Sequence, residues 1–157
     1  GLLCSKEVAK EKLRKIVYDG LKKYFKRIKC YDNVPETFEK FKNAGFKLAL
    51  LSDFPPDQKG EIWGVKKYCD DVLGTEQLGA LKPDPYSFLE MAKMLNVEPS
   101  KILYVGNSKK YDVAGSHNAG MKCAYLVPFR KRLFKKFIKE PEICFSNYRQ
   151  LQDIVLQ

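Results

Sequence analysis

The stretch of sequence that decides the fold is residues 102–127, ILYVGNSKKYDVAGSHNAGMKCAYLV. Its apolar run over 102–105 predicts a buried strand, and residues 112–119, closed by Gly120, predict a helix. A second apolar run over 122–127 predicts another strand. Because a strand, a helix and a strand in this order pack with a right-handed crossover, the two strands should be parallel.

The same alternation extends on both sides of this stretch. The pattern predicts helical structure over 6–28, either as one helix or as a pair that meets at Gly20, and helices over 36–43, 57–65 and 84–95. It predicts strands over 46–51, 71–73 and 143–145. The runs over 46–51 and 102–105 are almost wholly apolar, which is typical of strands buried on both faces. We therefore predict an α/β fold: a three-layer, Rossmann-like parallel sheet with helices on both faces.

Length and composition exclude several classes of protein. A chain of 157 residues with 45% hydrophobic and 31% charged residues fits one globular domain, and no apolar run approaches the ~20 residues that a membrane span needs. The five cysteines are widely spaced and form no CxxC pair, which argues against a disulfide framework and a zinc site. We expect a reducing, cytoplasmic location and no membrane partner.

The net charge of +10 has two interpretations. Basic residues are dense over 22–29 and 130–139, and such a field could attract nucleic acid or an anionic substrate. The stretch 129–138 interleaves bases with aromatic residues, but its apolar positions recur at helical spacing, which favours core packing over base stacking. We therefore interpret the charge as solvated helix faces and do not expect nucleic acid as a partner.

Polar side chains follow two of the predicted strands. Ser52 and Asp53 end the first strand, Asn107 follows the strand over 102–105, and Lys82 precedes a predicted helix. In parallel sheets, ligands bind beyond the carboxyl ends of the strands. With Asp112, these side chains should form a site for an anion and a cation at one edge of the sheet.

Three motifs in series resemble the haloacid dehalogenase superfamily: LALLSD over 48–53, LKPDP over 81–85 and YVGNSKKYDVAGSHNAGM over 104–121. The resemblance implies a hydrolase, most simply a magnesium-dependent phosphatase of a small phosphorylated metabolite. In such enzymes an aspartate attacks phosphorus, and water then hydrolyses the aspartyl-phosphate.

The resemblance also implies a role for each site residue. Ser52 and Lys82 would be catalytic and would bind the phosphoryl group, with Asp53 beside them, while Asn107 and Asp112 would bind Mg²⁺. Asn107 stands where the family usually has an aspartate, so its neutral oxygen should weaken metal binding. Asp53 stands where asparagine is common, and capping the turn at 55–56 is an alternative role for it.

One family motif is absent from the chain. No aspartates have the Asp-x-Asp-x-Thr/Val spacing that provides the nucleophile and the acid/base. In the family this motif ends a central strand, which would lie between the strands over 48–51 and 102–105. We therefore expect the chain to belong to a longer protein. Residues 1–30 would be the tail of a helical cap, and residues 31–157 the core without its nucleophile strand.

Two consequences follow from the missing motif. The chain alone should be inactive, and the missing N-terminal segment of the same protein should be its partner. An alternative is a catalytically degenerate binding or scaffold module with a basic surface, and a third interpretation keeps the family but changes the reaction to phosphomutase or dehalogenase. The sequence does not identify the substrate.

Overall fold

The computed structural model of the protein describes residues 5–127 and 140–157. In chain order its helices and strands are α1 (Lys6–Leu13), α2 (Asp19–Arg27), α3 (Val34–Asn43), β1 (Ala49–Ser52), α4 (Pro56–Ile62), β2 (Asp71–Gly74), α5 (Thr75–Leu78), α6 (Pro85–Leu95), β3 (Leu103–Gly106), α7 (Ala114–Asn118), β4 (Lys122–Leu126), β5 (Ile143–Phe145) and α8 (Tyr148–Val155). Shorter turns are π-helical at Arg14–Tyr18 and Lys109–Val113 and 3₁₀-helical at Lys66–Tyr68 and Pro99–Lys101.

All strand pairs of the described residues are parallel. β1 pairs with β2, with Ser52 opposite Gly74, and β4 pairs with β3 on one side and β5 on the other. The predicted α/β fold with parallel strands is therefore confirmed. The arrangement of helices on both faces and the domain boundary between residues 30 and 31 stay predictions.

The described strands form two separate sheets, β1–β2 and β3–β4–β5, and within residues 5–127 and 140–157 no strand joins β1 to β3. Every residue of β1 and β3 is partly exposed, whereas four of the five residues of β4 are buried. The burial predicted for β1 and β3 is thus incomplete, because each strand has a paired neighbour along one edge only.

Helix α6 packs against both sheets. Its Phe88 is fully buried at the centre of a cluster that Leu51 of β1 and Tyr104 of β3 both contact. Gly115 lets α7 approach closely, because a Cβ at this position would lie 2.5 Å from the Phe88 ring. One apolar cluster therefore holds the ends of β1 and β3 beside each other without a hydrogen bond between the strands.

The N-terminal helices contact the rest of the chain through few side chains. In the described part of this segment, residues 5–28, only Phe25 is buried, at 5% exposed, and it packs edge-on against Trp63 and Phe54. The helix changes character at the π-helical turn Arg14–Tyr18 and not at Gly20, which lies inside α2. The break considered at Gly20 is therefore not observed, since the helical residues run without a gap from Lys6 to Arg27.

Two further helices were not predicted. The short helix α5 follows β2, and α8 packs against α3 through buried polar contacts, including one of 2.8 Å between Gln152 Nε2 and Thr37 Oγ1.

Among the described residues, no helix has the length and apolar character that a membrane crossing requires. The predictions for 129–138 and for the basic stretch over 130–139 lie outside the described residues.

Candidate active site

The centre of the site is an ion pair between Lys82 and Asp112. Lys82 Nζ lies 2.8 Å from Asp112 Oδ1, and the two side chains are 12% and 7% exposed. Lys82 lies in the loop before α6, and Asp112 lies in the helical turn after β3. Because a buried charge that loses its partner is costly, each of these residues stabilises the position of the other.

Tyr104 forms hydrogen bonds with both members of this ion pair. Its hydroxyl accepts a hydrogen bond from Lys82 Nζ at 3.2 Å and donates one to Asp112 Oδ1 at 3.3 Å. Burial, followed by the nearby Asp112 carboxylate, raises the pKa of Tyr104 well above its usual value. The hydroxyl therefore stays protonated and remains a donor to Asp112.

Asp112 also shapes the loop after β3. Its Oδ2 accepts hydrogen bonds from the backbone N–H groups of Asn107 at 3.0 Å and Ser108 at 2.9 Å. A Cβ at Gly106 would overlap Asp112, with its Cγ only 2.6 Å away, so this close approach requires glycine. The Gly-Asn-Ser segment is therefore held against the carboxylate at the end of β3.

Asp53 joins β1 to the same cluster. Its Oδ1 accepts hydrogen bonds from the buried Thr75 hydroxyl at 2.6 Å and from the Lys82 backbone N–H at 3.2 Å. The turn after β1 is capped by Ser52, whose Oγ accepts a hydrogen bond from the Phe54 N–H at 3.2 Å. The contacts of Asp53 thus differ from the turn-capping alternative, since they link the ends of β1 and β2 to the Lys82 loop.

Ser52 has a second contact that the sequence did not predict. Lys59, on α4, donates a hydrogen bond from Nζ to Ser52 Oγ at 2.8 Å. Because Ser52 Oγ accepts both this bond and the bond from Phe54, its own proton remains free to be donated. The hydroxyl is therefore suited to donate to an anion.

The Asn107 side chain lies at the outer side of the site. Its Nδ2 donates a hydrogen bond to the Tyr31 hydroxyl at 3.2 Å, and the Tyr31 ring contacts the Tyr148 ring with centroids 6.1 Å apart. This bond uses the amide nitrogen and leaves the amide oxygen as the group that could face a cation.

These contacts bring the predicted site residues together. Asp53, next to Ser52, contacts Lys82, Lys82 contacts Asp112, and Asp112 contacts the backbone of Asn107. Two ammonium groups, a serine hydroxyl and buried acceptors thus meet where parallel strands end. This arrangement can bind and orient an oxyanion.

The donor set for a magnesium ion is incomplete in the described residues. They contain no group of three or more His, Cys, Asp or Glu side chains that could hold a metal. Both oxygens of Asp112 already accept hydrogen bonds, and Asn107 offers one neutral oxygen. Because Mg²⁺ in proteins is usually held through one or two carboxylates, these residues alone do not fit the ion. Metal binding by Asn107 and Asp112 stays a prediction.

Comparisons with known proteins identify the family of the chain. Residues 4–126 match the haloacid dehalogenase-like hydrolase family, and the chain belongs to this family. It is 29% identical to a phosphoglycolate phosphatase of Haemophilus influenzae over 139 residues, covering 81% of this chain and 58% of the relative. It is 33% identical to a glyceraldehyde 3-phosphate phosphatase of Methanopyrus kandleri over 100 residues, covering 62% and 43%.

A solved structure gives the same family. The chain superposes on an HAD phosphatase of Thermococcus onnurineus with a TM-score of 0.75 and 26% identity, covering 87% of this chain and 63% of the other. The chain spans about half the length of the curated relatives it matches, 58% and 43% for the two named above. The family resemblance inferred from the three motifs is therefore confirmed.

Sequence reasoning missed three residues of this site: Lys59, Thr75 and Tyr104. Tyr104 was assigned to a strand by its apolar neighbours, and Thr75 lies in a helix that was not predicted. Lys59 is one lysine among many in a basic chain, and no motif singles it out. Only the packing of α4 against β1 brings it to Ser52.

Proposed function

We propose that this chain carries the phosphate-binding part of a phosphatase that acts on a small phosphorylated metabolite. The observation that carries the proposal is the buried Lys82–Asp112 pair, linked through Asp53 to the Ser52 end of β1. A cation held in place at the same sheet edge as a hydroxyl donor suits a phosphoryl group, whose transfer depends on positioning and electrostatic stabilisation. The phosphatase relatives support this assignment.

In this proposal the nucleophile is an aspartate on a strand from the missing N-terminal segment of the same protein. The separation of β1 from β3 in the described residues supports a strand at that position, because both strands have an unpaired edge there. The aspartate oxygen attacks phosphorus, and the bond from phosphorus to the leaving oxygen breaks. Water then hydrolyses the aspartyl-phosphate and releases inorganic phosphate.

In this proposal, each of the site residues on this chain has a part in the reaction. Ser52 donates a hydrogen bond to a phosphoryl oxygen, and Lys82 neutralises the charge shared by the nucleophile and the phosphoryl group. Asp112 and Tyr104 hold the Lys82 ammonium, and Asp53 holds the loop that carries it.

Magnesium belongs to this proposal as the cofactor of the longer protein. When bound, Mg²⁺ supplies charge neutralisation at the phosphoryl oxygens. The carboxylates absent from the donor set of the described residues would come from the missing Asp-x-Asp motif. Cytoplasmic location, with no membrane or nucleic-acid partner, is proposed with it.

The test is phosphatase activity with and without the upstream segment. The longer protein should hydrolyse p-nitrophenyl phosphate in Mg²⁺, lose this activity in EDTA, and accept phosphoglycolate or glyceraldehyde 3-phosphate in a panel of small phosphomonoesters. The 157-residue chain should release no phosphate. Turnover by this chain alone would overturn the proposal, because none of its carboxylates has the required motif.

The second candidate function is a binding module that has lost its chemistry. It is favoured by one observation, the absence of the Asp-x-Asp spacing from the chain. A longer protein that binds inorganic phosphate but hydrolyses no phosphomonoester, with or without Mg²⁺, would establish this function in place of the phosphatase.

A further inference from the structure

The Lys59 ammonium is surrounded by a serine hydroxyl and two aromatic rings. It donates to Ser52 Oγ at 2.8 Å and lies 5.2 Å from the Phe25 ring centroid and 5.0 Å from that of Phe54. Phe25 comes from α2, and Phe54 from the turn after β1. The side chain is half-buried between a hydroxyl and two aromatic faces, which attract a cation without neutralising it.

Within the described residues, Lys59 makes no direct ion pair that would neutralise its charge, and Asp53 and Asp112 act on it only through space. No acidic group in the described ranges 5–127 and 140–157 forms an ion pair with it, in contrast to Lys82. Burial, followed by repulsion from Lys82, lowers the pKa of Lys59, although Asp53 and Asp112 oppose the shift. An anion bound beside Lys59 would relieve this imbalance.

The two lysines make different hydrogen bonds and ring contacts, although they lie close enough to repel each other. Lys82 contacts Tyr104 and Asp112, which come from β3 and the turn that follows it. Lys59 contacts Ser52 and the two rings, on the side where the N-terminal helices pack. A compact phosphoryl group held by Ser52 and Lys82 therefore leaves Lys59 beside whatever is attached to that group.

We propose that Lys59 binds a second anionic group of the substrate, such as a carboxylate, while Ser52 and Lys82 hold the phosphoryl group. This inference rests on the proposed function and narrows its substrate class to short phosphomonoesters with a second negative charge. The substrate must be short because Lys59 Nζ and Ser52 Oγ are only 2.8 Å apart. Their two ligand groups are then separated by few bonds.

The experiment compares two phosphonates that cannot be hydrolysed, 3-phosphonopropionate and propylphosphonate, which differ in the carboxylate. Both are titrated calorimetrically into the longer protein as wild type, Lys59→Met and Lys67→Met. Lys67, with an exposed side chain over the Tyr68 ring, provides a matched loss of one positive charge. We expect Lys59→Met to weaken 3-phosphonopropionate binding by about tenfold or more and propylphosphonate binding by less than about twofold. Lys67→Met should change neither.

Three results would overturn the inference. An equal loss for both phosphonates would place Lys59 on the phosphoryl group, and no loss for either would remove it from the site. A wild-type protein that binds the two phosphonates equally well would also refute it. This wild-type comparison does not depend on whether the Lys59→Met variant folds.

The binding assay separates this inference from the proposed function. A protein that hydrolyses no phosphomonoester but keeps the Lys59-dependent preference for 3-phosphonopropionate would refute the phosphatase and retain the Lys59 site. An active phosphatase without that preference would refute the Lys59 site alone. A protein that binds neither phosphonate and hydrolyses no phosphomonoester would refute both.

Discussion

The two lysines of the site are held by opposite means. Lys82 is ion-paired with Asp112 in a nearly buried cluster, whereas Lys59 is packed against two aromatic rings with no ion-pair partner in the described ranges. A paired cation is held rigidly, and removing it leaves the partner carboxylate buried and unpaired. A cation on aromatic faces keeps more of its charge for a ligand. The comparison suggests that one lysine is built for fixed positioning and the other for selecting among ligands.

The largest effect is expected from Lys82→Met in the longer protein. Removing a charge that stabilises the transition state should lower kcat by about 10²–10³-fold, or roughly 3–4 kcal/mol. Steady-state kinetics with p-nitrophenyl phosphate measure this loss. A Lys82→Met enzyme with near-normal kcat would show that the Lys82–Asp112 pair is structural only.

The same substitution should also lower stability, because it leaves the Asp112 carboxylate buried and unpaired. We expect a loss of about 3 kcal/mol in the free energy of unfolding, measured by urea denaturation. The double variant Lys82→Met/Asp112→Asn should recover part of that loss while kcat stays low. If the double variant were no more stable than Lys82→Met, the pair would not be the cause.

A smaller effect is expected on the aromatic side. Phe25→Leu keeps an apolar side chain in α2 but removes the ring that faces Lys59, so stability should fall by about 1 kcal/mol. Tyr86→Leu removes an exposed ring elsewhere and serves as the control. Equal effects of the two substitutions on the urea midpoint would show that the Phe25 ring has no particular role.

The smallest effect concerns pH. Since burial first, and Lys82 next, lower the pKa of Lys59 from the ordinary 10.5, the folded state binds its proton less tightly than the unfolded state. The contribution of Lys59 to stability should therefore improve as pH rises from the folded pKa towards 10.5. The difference in unfolding free energy between wild type and Lys59→Met, measured from pH 7 to 10, should shift in favour of wild type. A constant or opposite difference would contradict the stated environment of Lys59.

The two sheets show where sequence reasoning succeeded and where it stopped. Apolar runs predicted β1, β2, β3, β4 and β5 to within a few residues, because strand burial imposes a local pattern. The degree of burial was wrong for β1 and β3, since it depends on neighbours that a local pattern cannot specify. Helix α8 was missed although Asn147 caps its first turn and Tyr148, Leu151 and Val155 recur at helical spacing. What no local pattern shows is its contact with α3, more than 100 residues away, as in the bond between Gln152 and Thr37.

The sequence by itself determined the α/β order of elements, the family and the motif residues, including Ser52, Lys82 and Asp112. The order of elements follows from the strand and helix periods along the chain, whereas the family and the roles of the motif residues follow from the resemblance of three motifs in series. Only the tertiary structure decided that Lys82 is paired with Asp112 and that Lys59 lies against Ser52. The reason is physical: whether a charge is paired or left unpaired depends on which distant segments pack together, and packing arises from the whole core rather than from any one stretch of sequence.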